Sequence, residues 1–286
     1  MKDLNIFLYI CLVRYKALNH ILKKFKKHNI SLILDMEDSA QDIFDHKNTI
    51  KLKKQSREGL KYLNDKNILE GINTFVRINS ESTEFYQEDI STIKKVINDK
   101  PFIKGIFLPK VEEYAQIKKC YDQISTNERN KVSIVPIIET QKGLNNIENI
   151  ISKDKNNNII EYVHYGHYDY CLDSNFWPFP EPYHISYWEL IEKISKIVSF
   201  HKKKYVHTPF PLIENENIYW SSIHVMKEKL SMNEINLSLV NIDMTYIDLP
   251  EKIKKVKLKK ISDDFSYKKM FAEKIINEYL NNKSKN

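Results

Sequence analysis

With 286 residues and 42% hydrophobic side chains, the chain can fill a real core, as one large α/β barrel or as two smaller domains, and has the composition of an ordinary globular protein. Its 45 Lys+Arg against 38 Asp+Glu give a formal charge of +7, but the lysines are scattered among Asn and Ile; with no basic stripe interleaved with aromatics, the surplus reads as solvated surface and no nucleic-acid partner is expected. Three cysteines, Cys11, Cys120 and Cys171, follow no paired or CxxC spacing, so a reducing, cytoplasmic setting is expected.

Residues 4–12 predict a first strand. The apolar run 6–13 follows Lys2 as a leader would, but it is short, lacks a small-residue cleavage site and continues into Arg14-Tyr15-Lys16, so no secretory signal is expected. No stretch reaches the roughly 18 apolar residues of a membrane span, and no membrane partner is expected. Residues 15–28 carry a helical stripe at Leu18, Ile21, Leu22 and Phe25. A strand at 30–34 closes on Asp35-Met36-Glu37-Asp38-Ser39, and a helix follows over 47–63. A strand at 74–78 ends with Arg77 and Asn79, and a helix spans 84–97. The strand at 102–108 ends in Pro109-Lys110, ahead of a helix over 111–124. The run 131–138, rich in β-branched residues and ending at Glu139, has the pattern of a buried parallel strand, and a short helix covers 143–151. A strand over 159–165 ends in Gly166 and leads to Asp169.

Past Asp173 the pattern breaks. Three prolines within 175–182 exclude regular structure there and predict an aromatic-rich loop, either a cover for the site or a patch buried against a neighbouring subunit. Periodicity resumes with a helix over 186–203, a strand at 205–208, a helix over 217–230 and a strand at 235–240. A lysine-dense connector at 252–260 and an amphipathic helix over 267–280 close the chain. Eight strand–helix alternations without a linker predict one (β/α)₈ barrel domain over 1–286, with 251–286 as a C-terminal extension.

In such barrels catalytic groups sit at the C-terminal ends of the strands. Glu37, Asp38, Arg77, Lys110, Glu139 and Asp169 all fall there. Two carboxylates, each just beyond a buried strand, suggest a hard divalent cation held by Glu139 and Asp169. The plainer reading is that Glu139 caps the following helix and Asp169 is a turn residue. Likewise Arg77 has a structural reading as a partner of Glu37 or Asp38, and Lys110 as surface. His164, His167 and Asp169 form an alternative, transition-metal set. His164 otherwise reads as a core histidine, and His167, on the turn, as a substrate contact or proton carrier. His207, Thr208 and Pro209 end the seventh strand and are candidates to line the pocket.

Five short motifs, in order across residues 30 to 173, resemble the citrate lyase beta-subunit and hydroxy-oxo-acid aldolase family of phosphoenolpyruvate-binding-type TIM barrels. They are Leu34-Asp35-Met36-Glu37-Asp38-Ser39-Ala40, Val76-Arg77-Ile78-Asn79, Leu108-Pro109-Lys110-Val111-Glu112, Ile138-Glu139-Thr140 and Gly166-His167-Tyr168-Asp169. The resemblance implies Mg²⁺ (or Mn²⁺) held by Glu139 and Asp169, and Arg77 on the substrate's carboxylate or carbonyl oxygen. It implies Glu37 and Asp38 orienting Arg77 and water on the ion. Lys110 and His167 would join Arg77 in binding a small oxo acid or acyl ester. A carbon–carbon lyase or aldolase working through a metal-stabilised enolate is the activity implied, in a homo-oligomer.

The chain also departs from the family. Its first strand, Ile6-Phe7-Leu8-Tyr9-Ile10-Cys11, lacks the usual arginine-serine pair and proline-glycine turn; Asp38 stands where the aldolase branch often has a histidine base; and Val206-His207-Thr208-Pro209 only approximates a late isoleucine-histidine-proline segment. These departures motivate an alternative, a catalytically inactive barrel serving as a binding or regulatory subunit. A nucleic-acid-binding protein would rest on net charge alone.

Overall fold

The structure, a computed structural model, describes residues 4–18, 30–125, 132–155, 157–176, 182, 185–209, 216–228, 230 and 234–240, with the side chains of 216–221 excepted. The expected extension 251–286, most of the helix predicted over 15–28 and most of the proline-rich loop lie outside the described residues.

Eight parallel strands close on themselves in chain order: β1 Leu4–Cys11, β2 Ile30–Asp35, β3 Asn73–Arg77, β4 Ile103–Leu108, β5 Ser133–Ile138, β6 Tyr162–Tyr165, β7 Lys204–His207 and β8 Ile235–Val240, with β8 paired to β1. The expected single-domain (β/α)₈ barrel is what forms. Both strand faces are buried, which is why the strands read as near-continuous apolar runs. One set of alternate residues, including Phe7, Tyr9, Ile33, Phe75, Phe107, Val135, Ile137 and Val206, packs as its own cluster inside the barrel. The other set, including Leu8, Leu32, Leu34, Val76 and Ile106, joins the larger core beneath the helices. Phe7 lies 5.4 Å from Phe75 and 5.2 Å from Tyr162, ring to ring, so aromatic rings plug the lower barrel. Each buried ring contributes on the order of 2 kcal/mol.

The helices are α1 His46–Asp65, α2 Tyr86–Asp99, α3 Tyr114–Ile124, α4 Gln141–Asn145, α5 Ile147–Ser152, α6 His167–Asp173, α7 Ile185–Phe200 and α8 Glu216–Glu228. Asp45 caps α1, accepting from the N–H groups of Lys47 at 2.8 Å and Asn48 at 3.1 Å. Two differences from the sequence reading bear on the site. The helix predicted over 143–151 is two short pieces broken at Asn146, and Asp169 lies not in a turn but in the first turn of α6. Seven residues are too few for a helical period to declare itself.

One face of α1 is unusual for a barrel helix because it buries two cations. Lys53 Nζ donates to the carbonyls of Met36 at 3.1 Å and Glu37 at 2.7 Å. Arg57 Nε donates to Asp89 Oδ1 at 2.7 Å, and Asp89 Oδ2 accepts from Asn79 N at 2.9 Å and Nδ2 at 2.6 Å. The segments leaving β2 and β3 are thus tied to α1 and α2, which fixes the side chains at their C-terminal ends. No helix among the described residues is long and apolar enough to cross a membrane.

Candidate active site

At the C-terminal end of the barrel lies a cavity of about 420 Å³. Arg77 is its centre. The β2–β3 register sets Asp35 directly opposite Arg77. The guanidinium donates through Nε to Asp35 Oδ1 at 2.7 Å and through Nη2 to Oδ2 at 2.6 Å, a two-pronged pair. Nη1 meets Glu37 Oε2 at 2.9 Å and Asp38 Oδ2 at 3.0 Å, and the guanidinium carbon stands 4.8 Å from the centre of the Tyr9 ring. Asp35 is held in turn by the backbone N–H groups of Glu37 at 3.0 Å and Ser39 at 3.1 Å. Burial would raise the Asp35 carboxyl, but the Arg77 charge and its hydrogen bonds outweigh that and hold it below the usual carboxylate range.

Glu139 follows β5. Its Oε1 accepts from the Lys110 backbone N–H at 2.8 Å, at a residue with a left-handed φ of 53°. On the other side Gly166 approaches so closely that a Cβ there would stand 2.6 Å from Glu139 Oε2, so only glycine fits. Burial, then the charges of Glu37 and Asp169, push the Glu139 carboxyl well above its ordinary value. Glu37 behaves similarly: burial, opposed by Arg77 and reinforced by Asp38, Asp35 and Asp169, pushes it up to about 8. Asp35, Glu37 and Asp38 thus contact the guanidinium directly, and Glu139 and Asp169 line the same cavity. Among the described residues lining the cavity, Arg77 is the one Lys or Arg.

Of the residues expected from sequence, Arg77, Asp38, Glu139, Asp169 and His167 line the cavity, and Glu37 reaches it through Arg77. The Lys110 side chain is exposed and away from the cavity wall, so its contact with the site is through its backbone. His167 is buried, with Nδ1 3.1 Å from the Tyr165 hydroxyl and its ring centre 4.9 Å from that of Tyr187. Thr208 and Pro209 line the cavity as anticipated. His207 faces the other way, between the hydroxyls of Tyr187 at 3.0 Å and Tyr205 at 3.3 Å and stacked on Trp188, and burial with the neighbouring His167 pushes it down to about 3. No three His, Cys, Asp or Glu side chains among the described residues form a self-sufficient metal cage. Asp35, Tyr9 and Cys11 are among the lining residues that sequence reasoning did not put forward as site residues. The signal for Asp35 was its place two residues before Glu37 at a strand end, the same side of the strand by period.

The family described as HpcH/HpaI aldolase/citrate lyase matches residues 20–206. No curated protein sequence matches the chain. Among solved structures, a citrate lyase from Burkholderia xenovorans LB400 is similar at 14% identity and a TM-score of 0.66, over 86% of this chain and 75% of that one. The citrate lyase beta subunit of M. tuberculosis, complexed with oxaloacetate and magnesium, is similar at 14% identity and a TM-score of 0.60, over 86% and 94%. CitE of Mycobacterium tuberculosis in complex with magnesium, acetoacetate and coenzyme A gives 14% and 0.60, over 86% and 78%. At such identities the likeness is one of fold.

Proposed function

The chain belongs to the HpcH/HpaI aldolase/citrate lyase family, and from that premise we propose that it is a Mg²⁺-dependent carbon–carbon lyase or aldolase, or the reverse condensing enzyme, acting on a small 2-oxo acid or acyl ester. The observation that carries this reading is the charge imbalance of the cavity wall, the four carboxyls of Asp35, Asp38, Glu139 and Asp169 against one guanidinium, with Glu139 and, behind the wall, Glu37 both pushed up. A cavity of that kind has an unmet demand for positive charge. Carboxyl oxygens suit a hard cation, and Mg²⁺ typically takes one or two protein carboxylates and completes its shell with water and substrate oxygens. Glu139, just past β5, and Asp169, in the first turn of the helix after the neighbouring β6, would hold it. When bound, the ion supplies Lewis-acid polarisation of the carbonyl and charge balance for the enolate made when the carbon–carbon bond breaks or forms.

The chain's own residues do the rest. Arg77, locked by Asp35 and backed by Tyr9, presents a fixed positive edge to a carboxylate or developing oxyanion. Asp38 is the exposed member of its partners, with 53% of its side chain accessible, so a substrate carboxylate can replace it at Nη1 with little rearrangement. Free thiols at Cys11, Cys120 and Cys171 support a reducing, cytoplasmic setting. The inactive-barrel alternative draws on the first strand, which brings Tyr9 and Cys11 to the cavity and no cation. Deuterium exchange decides between them. The enzyme is expected to wash solvent deuterium into the methyl group of pyruvate or the methylene of oxaloacetate only with Mg²⁺, and no exchange with either acid would overturn the catalytic reading.

A pH effect follows from Glu37. Its folded value of about 8 lies above the ordinary 4.5, so folding favours the protonated acid. That contribution to stability is complete below the ordinary value and is lost as pH rises towards the folded one. Relative to Glu37→Gln, the metal-free protein is therefore expected to lose Tm between pH 5.5 and pH 8. Added Mg²⁺ should raise Tm more at the higher pH, where no proton has to be displaced, and Glu37→Gln should flatten the slope in EDTA. Thermal unfolding across this range, with and without the ion, is the check.

A further inference from the structure

Lys53, on the inner face of α1, is a buried cation that the proposed chemistry does not use. It is 2% exposed, and its ammonium donates to the carbonyl oxygens of Met36 and Glu37, with the centre of the Phe85 ring 5.5 Å away. Taking an ammonium out of water costs far more than burying the apolar side chain that a barrel helix ordinarily presents to its strands. Burial accordingly pushes Lys53 down from the ordinary lysine value, and the carboxylates of Glu37, Asp35, Asp89 and Asp38 oppose that push. The field that stabilises the cation is therefore that of the acids around Arg77 and on α2, and the cation acts on them in return.

Both carbonyls belong to the turn that supplies the backbone donors of Asp35. Met36 O accepts from Lys53 Nζ and from Asn79 Nδ2, each at 3.1 Å, and the N–H of that same peptide, on Glu37, donates to Asp35 Oδ1 at 3.0 Å. Asp35 Oδ1 is the oxygen that receives Arg77 Nε at 2.7 Å. Because an amide is one planar, resonant unit, positive charge at its oxygen fixes its plane and strengthens its N–H as a donor. Glu37 O, the second carbonyl, also accepts from the Ala40 N–H at 3.0 Å, which closes the turn that presents Ser39 N to Asp35 Oδ2 at 3.1 Å. One peptide and one carboxylate therefore stand between the ammonium and the guanidinium. We propose that Lys53 is the positioning residue for Arg77: it holds and polarises the donors of Asp35, and Asp35 in turn aims the guanidinium at the carboxylate of the bound acid. The proposal rests on Arg77 gripping a small acid, as argued above, and not on the reaction that follows. Arg57, one turn further along α1, gives its Nε to Asp89 on α2 at 2.7 Å and serves as the internal comparison.

Hydrogen exchange at the arginine Nε–H groups reads this in the ligand-free protein. In the full chain labelled with ¹⁵N-arginine, Arg77 Nε–H is expected to exchange with solvent about tenfold or more faster in Lys53→Met than in the parent, while Arg57 Nε–H stays within about threefold. Equal acceleration at both arginines would show that the lysine merely seats α1, and no acceleration at Arg77 would show that Asp35 is held without it; either result overturns the proposal. Lys53→Arg keeps the charge and should restore part of the protection. Lys53→Gln, neutral and polar, should behave as the Met variant does and guards against a Met variant that fails to fold. With Mg²⁺ present, the affinity for pyruvate or oxaloacetate should fall about tenfold in Lys53→Met, and the affinity for Mg²⁺ alone should stay within about twofold, both by titration calorimetry. An unaltered acid affinity, or an equal loss of the ion, would overturn the proposal. A parent that binds neither acid would remove the reading of the cavity as a small-acid site, and the exchange rates alone would then decide whether Lys53 positions Arg77.

Discussion

Glu139→Gln will fold as the unaltered chain does and will lose Mg²⁺-dependent exchange into pyruvate or oxaloacetate by at least about a hundredfold. The amide keeps the shape of the side chain, and its oxygen can still accept from the Lys110 N–H that now meets Oε1 at 2.8 Å. What disappears is the negative charge. In the metal-free protein that charge is a burden, because burial and the carboxylates of Glu37 and Asp169 all disfavour it. The variant is therefore expected to be as stable as the parent in EDTA, or more stable, while Mg²⁺ no longer raises its Tm. Asp169→Asn should lose the ion as well, from a half-buried position in the first turn of α6. Titration calorimetry with Mg²⁺ and melting curves with and without EDTA separate loss of the ion from loss of the fold. Unaltered Mg²⁺ affinity in both variants would remove the metal assignment, and with it the reason for so many carboxyls in one cavity.

How much of this was written in the sequence depends on what each feature requires. Strand order and the barrel followed from apolar runs alternating with helical stripes, because burial on both faces forces such runs. Arg77, Asp38, Glu139 and Asp169 were placed on one rim because strand C-termini share it, and all four do line the cavity. Asp35 was passed over as a site residue because the pairing that makes it the main partner of Arg77 is a matter of register between two strands 42 positions apart in sequence, and neither strand encodes that register alone. For Lys110 the expectation concerned a long cationic side chain; at this residue, with its left-handed φ, it is the backbone N–H that meets Glu139 while the side chain stays outside. His207 and Thr208 illustrate the limit of alternation. Period two says that they face opposite ways, but when both sides of a strand are buried it does not say which way is in. The pairing of His164 with Ser238 was out of reach of any pattern, since Ser238 lies 74 residues further along.

Arg77→Ala is the substitution expected to cost the most stability, about 3–5 kcal/mol at neutral pH, as well as turnover. The fully buried Asp35 would keep its backbone donors from Glu37 and Ser39 but lose both guanidinium bonds, and Glu37 would lose the charge that opposes its burial. The pH dependence carries the sign of the pair. In the unaltered protein the Asp35 carboxyl is depressed, so its contribution is present above the ordinary carboxylate value and fades as pH falls below it. Without Arg77 that contribution is gone, so the deficit of the variant should be largest near pH 7 and should shrink by pH 4, where protonation relieves the stranded carboxyls. Arg77→Lys keeps a charge but not the fork that meets both Asp35 oxygens, so it should recover part of the stability and little of the turnover. Asp35→Asn should be milder than Arg77→Ala, because Glu37 and Asp38 still face the guanidinium at 2.9 and 3.0 Å. Urea unfolding of the single and double variants at pH 4 and 7 gives the coupling between Asp35 and Arg77 directly. An Arg77→Ala protein as stable as its parent at both pH values would mean that burial of the charges cancels their attraction, leaving Arg77 to be explained by what it binds.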